Sequence, residues 1–150
     1  MTVAANDSAP IMEMWPKAKT IAPELPERAK EYLSQAVASI HAPAGAIILA
    51  ASAIDAMLKD KGHTAGSLNK RIDDARDAHL ITPDMAQWAH DVRLDANDQR
   101  HADDNAPLPT SEDAQRVIEF TQALAQFLYV LPAMVQRGRS AATSSSGSGS

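Results

Sequence analysis

Three polar side chains of different chemistry recur at every fourth position in the segment VRLDANDQRHADD, residues 92–104. Arg93 carries a permanent positive charge, Asn97 an amide that donates and accepts hydrogen bonds, and His101 an imidazole that titrates near neutral pH. Such a set could stabilise charge on a phosphate, orient a reacting group and move a proton. With the RNA 2′-hydroxyl as nucleophile, this chemistry would need no metal ion.

A single helix is expected to carry these three groups. In the sequence ITPD, Thr82 suits the N-cap and Pro83 the first helical position, so we predict a helix from Pro83 to about Arg100. Its apolar face is expected to consist of Met85, Trp88, Ala89, Val92 and Ala96.

The polar residues of this predicted helix lie beside its apolar face. At about 100° per residue, the three groups and His90 fall within roughly 80° of one another. Leu94 projects outward next to them on the same wheel, which a second protein chain covering this face would explain. We therefore expect Leu94 and His90 to lie in a partner interface.

The three groups have two interpretations. In the catalytic one, His101 moves a proton, Arg93 stabilises charge on the phosphate, and Asn97 orients the imidazole or the phosphate, while a second protomer closes the site. In the structural one, Arg93 pairs with Asp55 of the preceding long helix, and the other two groups bond backbone atoms near their helix end. We favour the structural interpretation and keep catalysis as the alternative.

The composition predicts a single all-α domain. Apolar residues make up 45% of the 150 residues and aromatic residues only 4%, which favours closely packed helices. The net charge of −5 argues against a general nucleic-acid-binding surface. Cysteine is absent, which excludes disulfides, thiolate catalysis and cysteine-ligated zinc, and we expect neither a metal nor a cofactor.

Apolar periodicity and capping residues predict a bundle of about five helices. The predicted helices cover residues 26–41, 43–61, 67–79, 83–100 and 110–136. The second, fourth and fifth are expected at the centre, and Pro132 is expected to kink or stop the last. The domain is predicted to span residues 23–139, between an irregular arm at 1–22 and a flexible Ser/Gly tail at 140–150.

No apolar run approaches the ~18 residues of a membrane span, and the N-terminus lacks the pattern of a signal peptide. We therefore expect a cytoplasmic protein that does not enter a membrane.

Much of the chain, about residues 25–135, resembles a bacterial helical family of unknown function, DUF4145. The resemblance is carried by AGSLNKRIDDARDAHLI, TPDMAQWAHDVRLDANDQRHADD and TSEDAQRVIEFTQALAQFLYVLPA. The signature of the family is an arginine, then Gly-Asn, then a histidine four residues after the asparagine. Arg93, Asn97 and His101 match it, and Ala96 stands in place of the glycine.

That family is similar to the HEPN group of helical domains, which are often dimeric and include many RNases of toxin, CRISPR and phage-defence systems. Catalytic HEPN sites usually have a shorter arginine-to-histidine spacing than the seven residues between Arg93 and His101.

The resemblance thus implies an HEPN-like, non-catalytic interaction module in prokaryotic defence or nucleic-acid processing. Its expected partner is a second copy or another protein, with RNA as a further candidate. The alternative is a metal-independent endoribonuclease with a composite site around Arg93, Asn97 and His101.

Overall fold

The structure is a computed structural model that describes residues 21–92, residue 94 and residues 107–148. Within those ranges every regular element is helical. The elements are α1 (Glu27–Ala38), α2 (Pro43–Asp60), α3 (Leu68–Asp77), α4 (Pro83–Asp91), α5 (Ser111–Ala125), a π-helical turn (Gln126–Val130) and α6 (Leu131–Ser148). Since α5, the π turn and α6 form one continuous helix, the described chain confirms the predicted all-α class and its five helices.

Side-chain caps start three of these helices where the sequence predicts them. The hydroxyls of Ser67 and Thr82 each accept a hydrogen bond from the backbone N–H three residues later, at 3.2 Å and 3.0 Å. Thr110 and Asp113 form a reciprocal capping box, with bonds of 2.9 Å and 3.1 Å. These bonds satisfy backbone donors that a helix leaves unpaired at its start.

Two helices end on a residue in the left-handed conformation. Gly62, at φ +98°, follows α2 as its position in the sequence predicts. After α3 the same role falls to His79, at φ +63°, and the N–H of Leu80 donates to the carbonyl of Ala75 over 2.8 Å. Both turns stop the helix by satisfying its last carbonyl groups.

The core lies between α2 and α5, with α1 packed along α2. Side chains of these three helices that are almost fully buried include Leu33, Ile54, Met57, Leu58, Val117, Ile118, Phe120 and Leu124. The prediction that the fourth helix is also central is wrong. Helix α4 is short and buries only Ala86 and Ala89 fully. Its Trp88 ring lies nearly perpendicular to the Phe120 ring, with 5.2 Å between the centroids.

The prediction of one helix from Pro83 to about Arg100 is also wrong, because α4 ends at Asp91 and Val92 is its C-cap. Leu94, expected to project outward, is 3% exposed and belongs to the core. Because α4 ends before Leu94, the wheel of that helix does not give the direction of this side chain, which burial in the core stabilises. The interface assigned to Leu94 is therefore wrong.

A π-helical turn interrupts the long helix just before Pro132. The Leu131 N–H donates to the carbonyl of Gln126, five residues earlier. Pro132 has no N–H to give to the carbonyl of Leu128, and its ring crowds that carbonyl, so a wider turn relieves the clash. The helix is irregular where Pro132 predicts it, but it does not stop.

Beyond the π turn, α6 continues to Ser148, including residues for which we expected a flexible tail from Ser140. Gly138 keeps a helical backbone and does not end the helix. By length and composition alone, the segment Ser111–Ser144 is apolar enough to cross a membrane, with a mean hydropathy of 1.3 over 18 residues. Its first part, however, forms the core of the bundle.

Candidate functional site

The predicted catalytic residues Arg93, Asn97 and His101 lie outside the described residues. Their alignment on one face therefore stays a prediction. The structure does place Asp55 and His90, and both make contacts with α3.

Asp55 on α2 forms an ion pair with Arg71 of α3, and Lys59 of its own helix approaches the same carboxylate at 3.0 Å. The Arg71 side chain is only 15% exposed, whereas that of Lys59 is 52% exposed. The arginine described beside Asp55 is Arg71, while the expected pairing with Arg93 lies outside the described residues and stays a prediction. This pair ties α2 to α3.

His90 on α4 contacts Asp73 of α3, with 2.7 Å between the imidazole Nε2 and the carboxylate Oδ1. Asp73 also forms an ion pair with Arg76, with 3.3 Å between Oδ1 and the guanidinium Nη1. The ring is 30% exposed, so His90 is first a link between α3 and α4.

Helix α3 thus joins its two neighbours through opposite sides of one short segment. Arg71 and Asp73 are two residues apart and point about 160° away from each other around the helix. Between them, Ile72 is fully buried against the core. In the sequence, charged residues flank the apolar Ile72 on both sides. This pattern alone predicts a mostly solvated helix, and it does not indicate that the charged residues pair with neighbouring helices.

Basic residues near the end of α2 are balanced by nearby groups. Lys70 forms an ion pair of 2.8 Å with Asp74, and Lys59 is engaged by Asp55. The Lys61 ammonium lies 4.4 Å from the centre of the Tyr129 ring, a cation–π contact. This region therefore offers little unbalanced positive charge for a nucleic acid.

Tyr129 ties the π turn to the end of α2. Its hydroxyl donates to the Asp60 carboxylate at 2.6 Å and lies 3.3 Å from the carbonyl of Met57. Burial, and then the hydrogen bond to Asp60, raise the pKa of Tyr129 above its ordinary value. The protonated phenol is therefore favoured, and it holds the π turn against the end of α2.

An apolar surface follows directly on α6. Leu131, Met134 and Val135, here called the α6 stripe, are 48%, 53% and 51% exposed. Their spacing of three and four residues places them within about 100° on the helix. By its spacing, Leu131 continues the buried stripe of α5 and Leu128, but α6 meets little of the bundle there, and Leu131 is exposed.

A family model described as a domain of unknown function, DUF4145, matches residues 25–141. The chain belongs to the DUF4145 family. No curated protein and no solved structure matches it. The match runs into α6, so the α6 stripe is part of the DUF4145 domain and not of an appended tail.

Within this DUF4145 domain, two ion pairs of described residues join neighbouring helices. Asp55 and Arg71 link α2 to α3, and Asp73 and His90 link α3 to α4. In the described part of the chain, no group of three or more His, Cys, Asp or Glu residues is arranged to hold a metal ion. The α6 stripe is instead a surface suited to binding another apolar surface.

Proposed function

We propose that this DUF4145 domain is an HEPN-like helical interaction module that forms a homodimer and has no catalytic activity of its own. Its proposed setting is a cytoplasmic prokaryotic system of phage defence or nucleic-acid processing, which the resemblance to HEPN domains suggests. The observation that carries the proposal is the exposed α6 stripe.

Helix α6 has little support from its own chain. From Leu131 to residue 144 the side chains are exposed, except for the half-buried Ala133. Most helices in proteins owe their stability to packing of an apolar face, and a solvated helix of this length is marginal in water. A partner that covers the α6 stripe would supply that packing.

A second copy of the chain suits this surface because it offers the same stripe, as an isologous interface requires. Gly138 and Ala142 continue along the same face of α6. These small residues would let two helices approach closely without a side-chain clash. The stripe is small, so we expect a weak dimer with a Kd on the order of 1–100 μM.

Substitution of the stripe tests this proposal. Leu131→Asp and Val135→Asp would each place a charge in the apolar contact, while Gln136→Asp places the same charge on a different side of α6. Sedimentation velocity up to about 100 μM should show a concentration-dependent dimer for the wild type and the control, and monomers for both stripe variants. A wild type that stays monomeric throughout would overturn the proposal.

A further inference from the structure

We propose that the two α6 helices of the homodimer run antiparallel, so that the α6 stripe of each copy packs against Gly138 and Ala142 of the other. This inference rests on the proposed homodimer and adds the orientation of the partner. The two small residues continue the face of the stripe toward the end of α6. All of these positions are exposed in the described chain.

The spacing along this face allows one antiparallel arrangement to fill both halves. Leu131 and Val135 are four residues apart, and so are Gly138 and Ala142. When Val135 of one copy lies opposite the partner's Gly138, Leu131 lies opposite the partner's Ala142, and two-fold symmetry repeats both contacts. Each branched side chain then meets a position with little or no side chain, and this alternation of large and small residues fills the space between packed helices.

A parallel pair on the same face would pack less well. Each residue would then face its own equivalent, so two Leu131 side chains would meet at one end and two Gly138 residues at the other. A Cβ at Gly138 would meet nothing within 4 Å beyond the backbone of its own helix, so no side chain of the same copy fills the space there. A void between the two glycines would leave the atoms around it without dispersion contacts.

The π turn leaves the path of an antiparallel partner open. A π turn adds one residue to a helical turn, so it rotates the side chains that follow by roughly 100° around the axis. The α6 stripe is thereby turned away from the line of the buried Leu124 and Leu128. It is turned toward the side of the long helix on which Glu119 and Gln126 are exposed. A second α6 that lies on the stripe can therefore continue along a side that the bundle leaves uncovered at these positions.

The charge of α6 favours the same orientation. The helix contains Arg137 and Arg139 and no acidic residue, whereas the whole chain has a net charge of −5, so the rest of the chain is more acidic than the whole. An antiparallel pair places each basic helix end over the bundle of the partner, while a parallel pair holds the two basic ends together. Salt screens this attraction, so the dimer should weaken as ionic strength rises.

Disulfide cross-linking between copies tests the orientation, because the chain has no cysteine of its own. Leu131→Cys and Ala142→Cys are prepared as single variants and oxidised at about 100 μM, each alone and as an equimolar mixture. The antiparallel pair predicts a cross-linked dimer mainly in the mixture, with one copy of each variant. Equivalent positions lie about 16 Å apart along the axis, too far for a disulfide. Non-reducing electrophoresis and intact mass identify the product.

The outcomes separate the orientation from the dimer itself. Cross-linking of each variant alone at the rate of the mixture would overturn the antiparallel pair and show parallel helices. A wild type that dimerises in sedimentation velocity, with no selective cross-linking in the mixture, would count against it equally. A monomeric wild type would instead overturn the homodimer on which this inference rests.

Gly138→Leu gives a second test that does not depend on oxidation. The leucine has room in the monomer and favours a helix more than glycine does, so the fold is retained. In the antiparallel pair it separates the helices where the partner's Val135 packs, and the Kd of the dimer should rise at least about tenfold. Gln136→Leu, on a different side of α6, should leave the Kd unchanged. An unchanged or lower Kd for Gly138→Leu would contradict the proposed packing, since two facing leucines would add contact in a parallel pair.

Discussion

Asp55 pairs with two basic residues that differ in exposure, the largely buried Arg71 and the exposed Lys59. Substitutions at Asp55 and Lys59 can therefore compare how much a buried and an exposed ion pair contribute to stability. We predict that Asp55→Ala destabilises the protein by about 2 kcal/mol, because Arg71 would keep its charge in a site where water reaches it poorly. Lys59→Ala should cost less than about 0.5 kcal/mol, since the ammonium is largely solvated. Urea unfolding of the three proteins measures both values, and equal losses would show that Arg71 does not depend on Asp55.

The identity of the arginine partner can be settled by the same approach. Double-mutant cycles would combine Asp55→Ala with Arg71→Met and, separately, with Arg93→Met. The structure leads us to expect coupling for Arg71. Coupling between Asp55 and Arg93 would restore the pairing that the sequence suggested, and would place Arg93 against α2.

At the same scale, the catalytic alternative concerns His101. We predict that wild type and His101→Ala show the same background cleavage of single-stranded RNA with EDTA present, because the proposed module performs no chemistry. His63→Ala controls for the effect of losing a histidine on purification. Cleavage by the wild type and by His63→Ala, but not by His101→Ala, would contradict the non-catalytic proposal and support a metal-independent endoribonuclease.

At the scale of the helix, the end of α3 is strained. His79 adopts φ +63°, a conformation that costs a residue with a Cβ about 1 kcal/mol relative to glycine. His79→Gly should therefore raise the free energy of unfolding by roughly 0.5–1 kcal/mol and raise Tm by a few degrees. Gly62→Ala, at the equivalent turn after α2, should change stability in the opposite direction.

Both changes can be measured by thermal unfolding under one buffer condition. If His79→Gly destabilises the protein, the imidazole must make contacts that outweigh the relief of backbone strain. The prediction thus separates a histidine tolerated at a turn from one retained for its own interactions.

Helix starts were predictable from sequence because a cap is a local interaction. Thr82 bonds the N–H of Met85, and Thr110 and Asp113 bond each other, so each cap spans only four residues of the chain. The end of α4 was not predictable in this way. No glycine or proline occurs between Asp91 and Pro107, so the polar sequence continues a helical pattern. The burial of Leu94 depends on core space formed by other helices.

The contacts of the candidate site show the same limit. The sequence identified Asp55 and His90 as polar positions beside apolar stripes, and the structure gives both a partner on α3. Predicting Arg71 and Asp73 as those partners requires the relative positions of α2, α3 and α4. The apolar periodicity of each helix does not give those positions. The α6 stripe was missed because its spacing continues that of the buried face of α5, and only the surrounding bundle reveals where burial stops.

At the scale of the whole molecule, two levels of stability should coexist. The amides of α2 and α5 belong to helices with fully buried side chains, and they should exchange with solvent only on large-scale unfolding. The α6 segment from residue 136 to 144 has exposed side chains throughout, so its amides should exchange quickly in the monomer. Helix α5 and the segment 136–144 belong to the same continuous helix, and α2 packs against α5. The expected difference in exchange rate therefore comes from burial and not from the type of secondary structure.

Dimerisation through the α6 stripe should remove part of this difference. We predict that amide protection in residues 136–144 rises by about tenfold between dilute protein and about 100 μM, because ligation of the stripe adds its binding free energy to local helix stability. Protection in α2 should stay constant over the same range. Hydrogen exchange read by mass spectrometry checks both regions in one sample, with Leu131→Asp as the control that cannot pair. High protection of residues 136–144 in that variant would mean that the chain stabilises α6 without a partner. This result would contradict the proposal that the α6 stripe is a dimer interface.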